Sequence, residues 1–231
     1  DALLGLAVIN TVIAAPLYLW AIRPVNLTSE KTHPISSTRK SRIRPILCSP
    51  RFYLLTASFC AYMALFSGFT YHIYPLLIAL TWDTQSVVLA IALIGPAQVA
   101  ARMLILLFKE ITIVRLGLLA GMTFPLAIVL LKAPPSIFTL AIVCTLYGAA
   151  NGIFTIVRGM AVPELLSHHN YGKINGIMLI PMSLARAAAP WLIAIYWAHS
   201  ETPDGAINLM LAIAILIPVL FGIAVNVKRI R

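Results

Sequence analysis

Residues 52–82 read FYLLTASFCAYMALFSGFTYHIYPLLIALTW and contain no Asp, Glu, Lys or Arg. A helix needs roughly 20 apolar residues, at about 1.5 Å each, to cross about 30 Å of hydrocarbon. Residues 133–157 are equally free of charged side chains. Both runs are continuous and lack the alternation of barrel strands, and in lipid the backbone must form its hydrogen bonds internally. The sequence therefore predicts an all-α integral membrane protein, a polytopic helical bundle.

The composition of the whole chain supports the same class. The 231 residues are 61% hydrophobic and only 10% charged, whereas soluble domains carry about 25% charged residues. A soluble fold of this length could not hide so much apolar surface from water.

Seven apolar runs are long enough to be predicted as transmembrane helices. They are residues 2–22, 52–80, 85–107, 112–131, 136–157, 174–197 and 205–227. Proline occurs inside nearly all of these runs. In a membrane bundle, neighbouring helices and waters can satisfy the carbonyls that proline leaves free. We therefore interpret the prolines as kinks that help packing rather than as dedicated hinges.

The net charge of +10 is distributed unevenly along the chain. Basic residues concentrate in alternate connections, around 23–51, 102–115 and 158–173, and in the tail 228–231. Positively charged connections stay on the cytoplasmic side during insertion. This pattern predicts a cytoplasmic C-terminus and an external residue 1. It also explains the basic charge without a nucleic-acid partner, so the expected surroundings are the lipid bilayer.

The polar segment 23–51 is rich in Ser, Thr, Pro and basic residues, which predicts a flexible cytoplasmic linker. A solvated loop is favoured over a lipid-binding switch. The first run lacks a positive n-region, so it is not a secretory signal peptide. Residue 1 is not Met, which favours a fragment or a processed chain.

Residues that carry chemistry are sparse. The three cysteines, Cys48, Cys60 and Cys144, are an odd count that suggests neither a disulfide framework nor a metal site. The sequence holds no HExxH, GxSxG, CxxC or Walker motif. We therefore predict no catalytic residues, no metal and no cofactor.

The order of one span, a long basic loop and six further spans resembles the major facilitator superfamily (MFS) of transporters. The stretch RFYLLTASFCAYMALFSGFTYHIYPLL resembles the opening helix of the second half in bacterial members. YGAANGIFTIVRGMAVPELL and YGKINGIMLIPMSLARAAAP are similar to a helix-loop-helix of bacterial efflux-type members. The resemblance implies that 1–22 ends the N-terminal half, 23–51 links the halves and 52–231 is the C-terminal six-helix half.

The resemblance also implies a function and a location. It implies a secondary active transporter in the bacterial inner membrane that moves a small-molecule substrate by alternating access, possibly in the direction of efflux. The substrate would bind between two halves, and the N-terminal half is absent from this chain. The absence of a nucleotide motif favours an ion gradient over ATP. The alternatives are a membrane scaffold or assembly subunit with a transporter-like fold and, less favoured, an intramembrane enzyme.

Four polar residues are candidates for substrate binding. Arg186 lies at the centre of run 174–197, and a charge there is expensive on a lipid-facing surface. We expect it to point into the bundle, towards a carboxylate of the other half, an anionic group of the substrate, or carbonyls freed by Pro190. Gln98, Tyr147 and Asn151 lie near the middle of their own runs. Transporter sites lie at that depth.

Three further residues are candidates for coupling and gating. His72 is a candidate for proton coupling, the alternative being a neutral histidine bonded to a carbonyl freed near Pro75. Arg158 and Glu164 are candidates for a gate. The alternative for Arg158 is that it ends its helix, where a cation suits the negative end of the dipole.

Small residues in the fifth run predict a close helix contact. Gly148 and Gly152 are four residues apart on one helix face, with Ala149 and Ala150 between them. Small residues at this spacing let two helix backbones approach each other. We expect the two glycines to serve packing rather than ligand binding.

Overall fold

The regular elements of the structure are all helical. The computed structural model describes residues 2–21, 43–107, 111–134, 136–168, 170–200 and 202–227. Within these residues the helices are α1 (Ala2–Ala21), α2 (Ile43–Leu47), α3 (Pro50–Ala79), α4 (Thr84–Ala92), α5 (Ile94–Ile105), α6 (Ile113–Leu130), α7 (Ile137–Ala161), a π-helical turn (Val162–Leu166), α8 (Tyr171–Ser200) and α9 (Pro203–Asn226). The prediction of an all-α polytopic membrane protein is confirmed.

Six helices of the described chain are long and apolar enough to cross a membrane. They are Pro50–Ala79, Thr84–Ile105, Ile113–Leu130, Ile137–Leu166, Tyr171–Ser200 and Pro203–Asn226. They correspond to the last six of the seven predicted spans. The first predicted span coincides with α1, which belongs to a separate unit, Asp1–Lys40. Its membrane crossing stays a prediction.

The end of the predicted linker 23–51 is helical, while the division of the chain at residue 51 stays a prediction. Most of this segment lies outside the described residues, but α2 and the start of α3 fall within it. Ser49 caps α3, because its hydroxyl accepts a hydrogen bond from the Phe52 amide at 3.2 Å. Pro50 occupies the first turn, where its missing N–H costs nothing. Because of these two residues, the helix begins at Pro50, before the apolar run begins at residue 52.

The second span is interrupted between α4 and α5. The sequence predicts one continuous run over 85–107, but the structure turns at Leu93. Pro96 explains this break, since it cannot donate to the Ala92 carbonyl and its ring displaces that carbonyl. At the start of α4, the Asp83 carboxylate accepts from the Ser86 amide at 2.9 Å. This hydrogen bond lowers the pKa of Asp83 below its usual value.

In the unit Ser41–Arg231, α3 packs against both α8 and α9, while α7 packs against α5 and α6. An aromatic cluster fills the centre of this unit. It consists of Phe59, Tyr62, Phe69, Phe124, Tyr147, Phe154 and Phe221. These side chains are all almost completely buried. The large rings set the spacing of the helices that carry the polar residues discussed below.

The predicted packing role of Gly148 and Gly152 is confirmed. A Cβ atom on Gly148 would lie 2.5 Å from the Ile94 carbonyl oxygen, and one on Gly152 would lie 2.5 Å from the Gln98 carbonyl oxygen. Real side chains do not approach a backbone so closely. The glycines are therefore what allows α5 and α7 to pack backbone against backbone.

The helix that carries Arg158 continues beyond the predicted end at residue 157. It runs to Ala161 and then forms the π-helical turn. The Ser167 amide donates to the Val162 carbonyl at 2.8 Å. Pro163 sits in this turn and has no N–H, so the regular ladder cannot continue through it. Arg158 thus lies in the last turn of α7, so the predicted end at residue 157 was too early, and the interpretation of Arg158 as a cation at a helix C-terminus agrees with this position.

Candidate functional site

Arg186 lies on the exposed side of α8 rather than inside this bundle. Met182 and Ile193 occupy the packed stripe of α8 and are 2% and 0% exposed. Arg186 borders that stripe and is exposed. Its guanidinium carbon lies 5.6 Å from the centre of the Phe66 ring. Arg186 is about 22 Å from either end of α8 at roughly 1.5 Å per residue. Arg186 therefore does not reach the core of these helices, and the expectation that it points towards another half of the bundle stays a prediction.

A pocket of about 480 Å³ opens beside Arg186, between α3 and α8. Its lining consists of Ser67, Tyr71, Ser183, Arg186, Ala187, Pro190 and Trp191. The volume lies in the range of small-molecule sites, which combine an apolar lining with a few polar groups. The sequence analysis missed every one of these residues except Arg186. Helical spacing could have indicated this pocket. Residues 67 and 71 share one face of their helix, and residues 183, 186, 187 and 190 share one face of theirs.

The polar side chains that line this pocket have no hydrogen-bond or ion-pair partners in the described chain. Ser67 is 97% buried (3% exposed) and Ser183 is exposed. Over the residues that the structure describes, neither hydroxyl has a hydrogen-bond partner, and Arg186 has no ion pair. The rings of Tyr71 and Trp191 are 70% and 64% exposed. The pocket therefore offers a cation without an acidic partner in the described chain, two hydroxyls without hydrogen-bond partners there, and accessible aromatic faces.

Two other cavities have a different character. One of about 660 Å³ lies between α6 and α9, beside Leu118, Met122 and Val219. One of about 450 Å³ lies among α5, α6 and α7 and is lined by alanine and aliphatic side chains with one threonine. Neither lining includes a charged side chain. Such surfaces suit lipid tails or helix contacts rather than a polar solute.

Tyr147 and Asn151 lie in the interior of the helical unit, away from the lining of the Arg186 pocket. They are 1% and 2% exposed. The Tyr62 hydroxyl donates to Asn151 Oδ1 at 2.6 Å. Tyr147 stacks on Phe69 with ring centres 3.8 Å apart, and its hydroxyl has no hydrogen-bond partner. A solute cannot reach either residue in this conformation, so their proposed role in binding stays a prediction.

Gln98 is only partly buried and does not line the Arg186 pocket. The backbone of Gln98 lies against Gly152, so Gln98 is part of the contact between α5 and α7. The structure thus divides the four predicted binding residues among three places: an exposed pocket, the core and a helix contact. The four residues were predicted at a similar depth in the membrane, but they do not form one shared site.

Two further arginines, Arg102 on α5 and Arg158 on α7, lie near the core. Arg102 donates to the Gly152 carbonyl at 3.2 Å and to Thr155 Oγ1 at 3.0 Å. The Nε atom of Arg158 is buried without a partner in the described chain. Tyr62 lies within electrostatic range of Arg102, Arg158 and Arg186.

No carboxylate lies near the middle of a described span. Asp83, Glu164 and Asp204, the acidic residues that the structure describes, all lie within about one turn of a helix end. The arginines of the spanning helices therefore have no acidic partner at mid-depth among the described residues.

The proposed gate residues are not in contact. Glu164 is exposed in the π-helical turn, and no ion pair or hydrogen bond joins it to Arg158 in the parts of the chain that are described. A gate that closes only in another conformation is compatible with this arrangement. The gating role of the two residues stays a prediction.

His72 is buried and bonded within its own helix. Its Nδ1 atom lies 2.9 Å from the Gly68 carbonyl, and its ring centre lies 6.3 Å from that of Trp197. Pro75 frees the carbonyl of Tyr71, whereas His72 bonds to the carbonyl of Gly68. The alternative interpretation, in which His72 bonds to a carbonyl freed near Pro75, therefore named the wrong partner. The proton-coupling role of His72 is not decided by this geometry and stays a prediction.

Arg51, predicted to be a charge of the linker, connects three chain segments. Its guanidinium donates to the carbonyls of Ala224 and Val225 at 3.0 Å each, to that of Leu165 at 3.3 Å, and to that of Val227. These acceptors lie where the π-helical turn and α9 end. A cation suits both positions, because helix C-termini carry partial negative charge.

The spanning helices define a polytopic α-helical membrane protein with a partly polar pocket between α3 and α8. The family model of the Major Facilitator Superfamily matches residues 2–190, and the chain belongs to this family of membrane transporters. Comparison with the curated proteins and with the solved structures yields no match.

Proposed function

We propose that this protein is a secondary active transporter that moves a small solute by alternating access, with the Arg186 pocket in the solute pathway. The observation that carries the proposal is an exposed arginine at mid-depth, beside accessible aromatic rings and two hydroxyls without hydrogen-bond partners in the described chain. Substrate sites of transporters with internal repeats lie near the bilayer midplane, at the interface between repeats.

The cost of exposing Arg186 to lipid supports this assignment. A charged side chain at the centre of a lipid-facing helix costs about 2.5 kcal/mol or more. Residue 186 lies at the middle of α8, so in a hydrocarbon layer of about 30 Å centred on this helix its backbone is about 15 Å from either headgroup region, farther than the side chain reaches. The face between α3 and α8 must therefore adjoin water or protein. In our proposal, residues 52–231 form the C-terminal half, and a second six-helix half covers this pocket.

The first experiment measures whether water reaches the pocket. Ala187→Cys and Leu216→Cys are compared in a background in which Cys48, Cys60 and Cys144 are replaced by alanine. Both positions are exposed and lie about 20 Å from the connection between α8 and α9. Only the first lines the pocket. The reagent is the membrane-impermeant, anionic sulfonatoethyl methanethiosulfonate, applied to both sides of membranes that contain the intact protein.

The thiolate is the reactive form of cysteine, and it forms only where water stabilises the charge. We expect Ala187→Cys to react at least about tenfold faster than Leu216→Cys. Equal, slow labelling at the two positions would mean that the pocket faces lipid or is sealed, and the proposed pathway would be wrong.

The second experiment tests transport itself. The intact protein is reconstituted in vesicles, and a panel of solutes is offered under an imposed proton or sodium gradient. We expect gradient-dependent, saturable movement of at least one solute, abolished in Arg186→Gln at normal membrane levels. Water access without any transport would favour the scaffold function instead. A His72→Gln variant with wild-type pH dependence would remove the proton-coupling role.

Efflux as the direction, and the bacterial inner membrane as the location, are parts of the same proposal that rest on the sequence resemblance. The distribution of basic residues supports a cytoplasmic C-terminus. Single cysteines at His168 and Asp204, both exposed, test this orientation. In intact cells an impermeant reagent should label the second position and not the first. Labelling of position 168 alone would invert the proposed topology.

A further inference from the structure

We infer that the Arg186 pocket binds an organic anion with a planar aromatic body, such as an aromatic carboxylate, with the anionic group on the guanidinium of Arg186. The inference rests on the proposed transport function, since it names the substrate class of the same site. It does not depend on the direction of transport or on the coupling ion.

The sign of the charge follows from the groups around the pocket. Arg186 has no carboxylate partner among the described residues, and the acids of the described spans lie at helix ends. Two further arginines of the spanning helices, Arg102 on α5 and Arg158 on α7, also have no acidic partner among the described residues. In a site of low dielectric constant, a cationic ligand would be repelled and an anionic ligand attracted. A planar guanidinium pairs best with carboxylate or phosphate, through two parallel hydrogen bonds.

The hydroxyls beside Arg186 supply further donors. Ser183 lies on the same helix, three residues before Arg186, and Ser67 lies across the pocket on α3. Both hydroxyls are without a hydrogen-bond partner in the part of the chain that is described. Donors from two helices can therefore meet one anionic group. Carbonyls freed by Pro190, which the sequence offered as a partner for the guanidinium, form no hydrogen bond with it here.

The aromatic body follows from the remaining lining. Tyr71 and Trp191 line the pocket with 70% and 64% of their surfaces exposed. Large exposed rings next to a polar centre favour a flat apolar group that can stack on them. The volume of about 480 Å³ is sufficient for one or two fused rings. An aliphatic or fully polar anion would leave these two rings without a partner.

The experiment uses three probes with the same ring system and different charge: 2-naphthoate, neutral 2-naphthamide and the 2-naphthylmethylammonium cation. Each is tested for its ability to slow the labelling of Ala187→Cys in the intact protein. Leu216→Cys is the matched control for nonspecific effects on the membrane or the reagent. The same measurements are repeated with Arg186→Gln and Arg186→Lys added to Ala187→Cys.

We expect 2-naphthoate to protect at concentrations at least about tenfold lower than the other two probes, because the guanidinium forms its strongest, charge-assisted hydrogen bonds with a carboxylate. In Arg186→Gln this advantage should disappear. In Arg186→Lys, which keeps the charge but loses the two-pronged geometry, it should be intermediate. Membrane levels are measured for each variant, and Arg186→Lys alone decides the matter if Arg186→Gln does not accumulate.

The inference is overturned if the cation or the amide protects as well as 2-naphthoate, or if 2-naphthoate gives no protection at its solubility limit. Protection that is unchanged in the Arg186 variants also overturns it. These outcomes leave the transport proposal intact, because Ala187→Cys would still be labelled from water. Failure of the labelling itself would instead contradict the proposed function.

Discussion

Arg51 provides the sharpest test of how the ends of this helical unit are held together. Within the described residues, its side chain makes four hydrogen bonds to backbone carbonyls where the π-helical turn and α9 end. Hydrogen bonds to charged groups contribute about 1.5–3 kcal/mol each. The loss in Arg51→Gln will be smaller than four such contributions, because carbonyls at helix ends can bond to water and glutamine keeps one donor group. We expect a net destabilisation of about 3 kcal/mol.

The assay is thermal unfolding of the purified intact protein in detergent, followed by tryptophan fluorescence. About 3 kcal/mol corresponds to a decrease in Tm of roughly 6–12 °C for a domain of this size. Arg51→Lys should lose about half as much, since it keeps the charge at the helix ends but not the planar fork. The control is Arg44→Gln, because Arg44 is an exposed arginine of α2. If Arg51→Gln unfolds within about 2 °C of the wild type, or if the control loses as much, the stabilising role of Arg51 is wrong.

Three other predictions use the packing, the core hydrogen bond and the helix cap. Gly152→Ala should destabilise by about 2 kcal/mol because its Cβ would collide with the α5 backbone, whereas Gly176→Ala, with open space around it, should gain up to about 1 kcal/mol. Tyr62→Phe should cost about 1–3 kcal/mol by leaving a buried amide oxygen unpaired. Tyr147→Phe, which removes a hydroxyl without a partner, should be neutral or stabilising. The folded-state pKa of Asp83 is lowered, so its cap stabilises α4 above the usual carboxyl pKa and is lost as pH falls through the lowered value.

Each of these predictions has a contradicting result. Equal Tm changes for the two glycine variants would mean that the α5–α7 contact is looser than described. A larger loss for Tyr147→Phe than for Tyr62→Phe would show that the Tyr147 hydroxyl has an important partner in the working protein. For the cap, the hydrogen-exchange protection factor at the first turn of α4, corrected for the intrinsic pH dependence of exchange, should fall at acidic pH in the wild type and stay constant in Asp83→Asn. An identical pH response in that variant would remove Asp83 as the cause.

The sequence by itself determined the class of protein and most of its spans. Backbone groups in lipid must bond within their own segment, so long uncharged runs such as 52–80 leave the helix as the only solution. The contact made by Gly148 and Gly152 was also predictable, because close backbone approach requires small residues at this spacing. The helix boundaries were less predictable, since caps and prolines outside the apolar runs, such as Ser49 and Pro163, decide where each helix begins and ends.

Only the tertiary structure decided which side of each helix faces the core. In a soluble protein, polar residues mark the exposed side, but in a membrane both the core and the surroundings are apolar, so the hydrophobic pattern gives little directional signal. Tyr147 and Arg186 therefore looked equivalent as polar residues at mid-depth, yet one is buried in the core and the other lines an open pocket. Packing of large rings and close glycine contacts fixed the rotation of the helices. That rotation, and not the residue types alone, placed Arg186 beside Ser67 and Trp191.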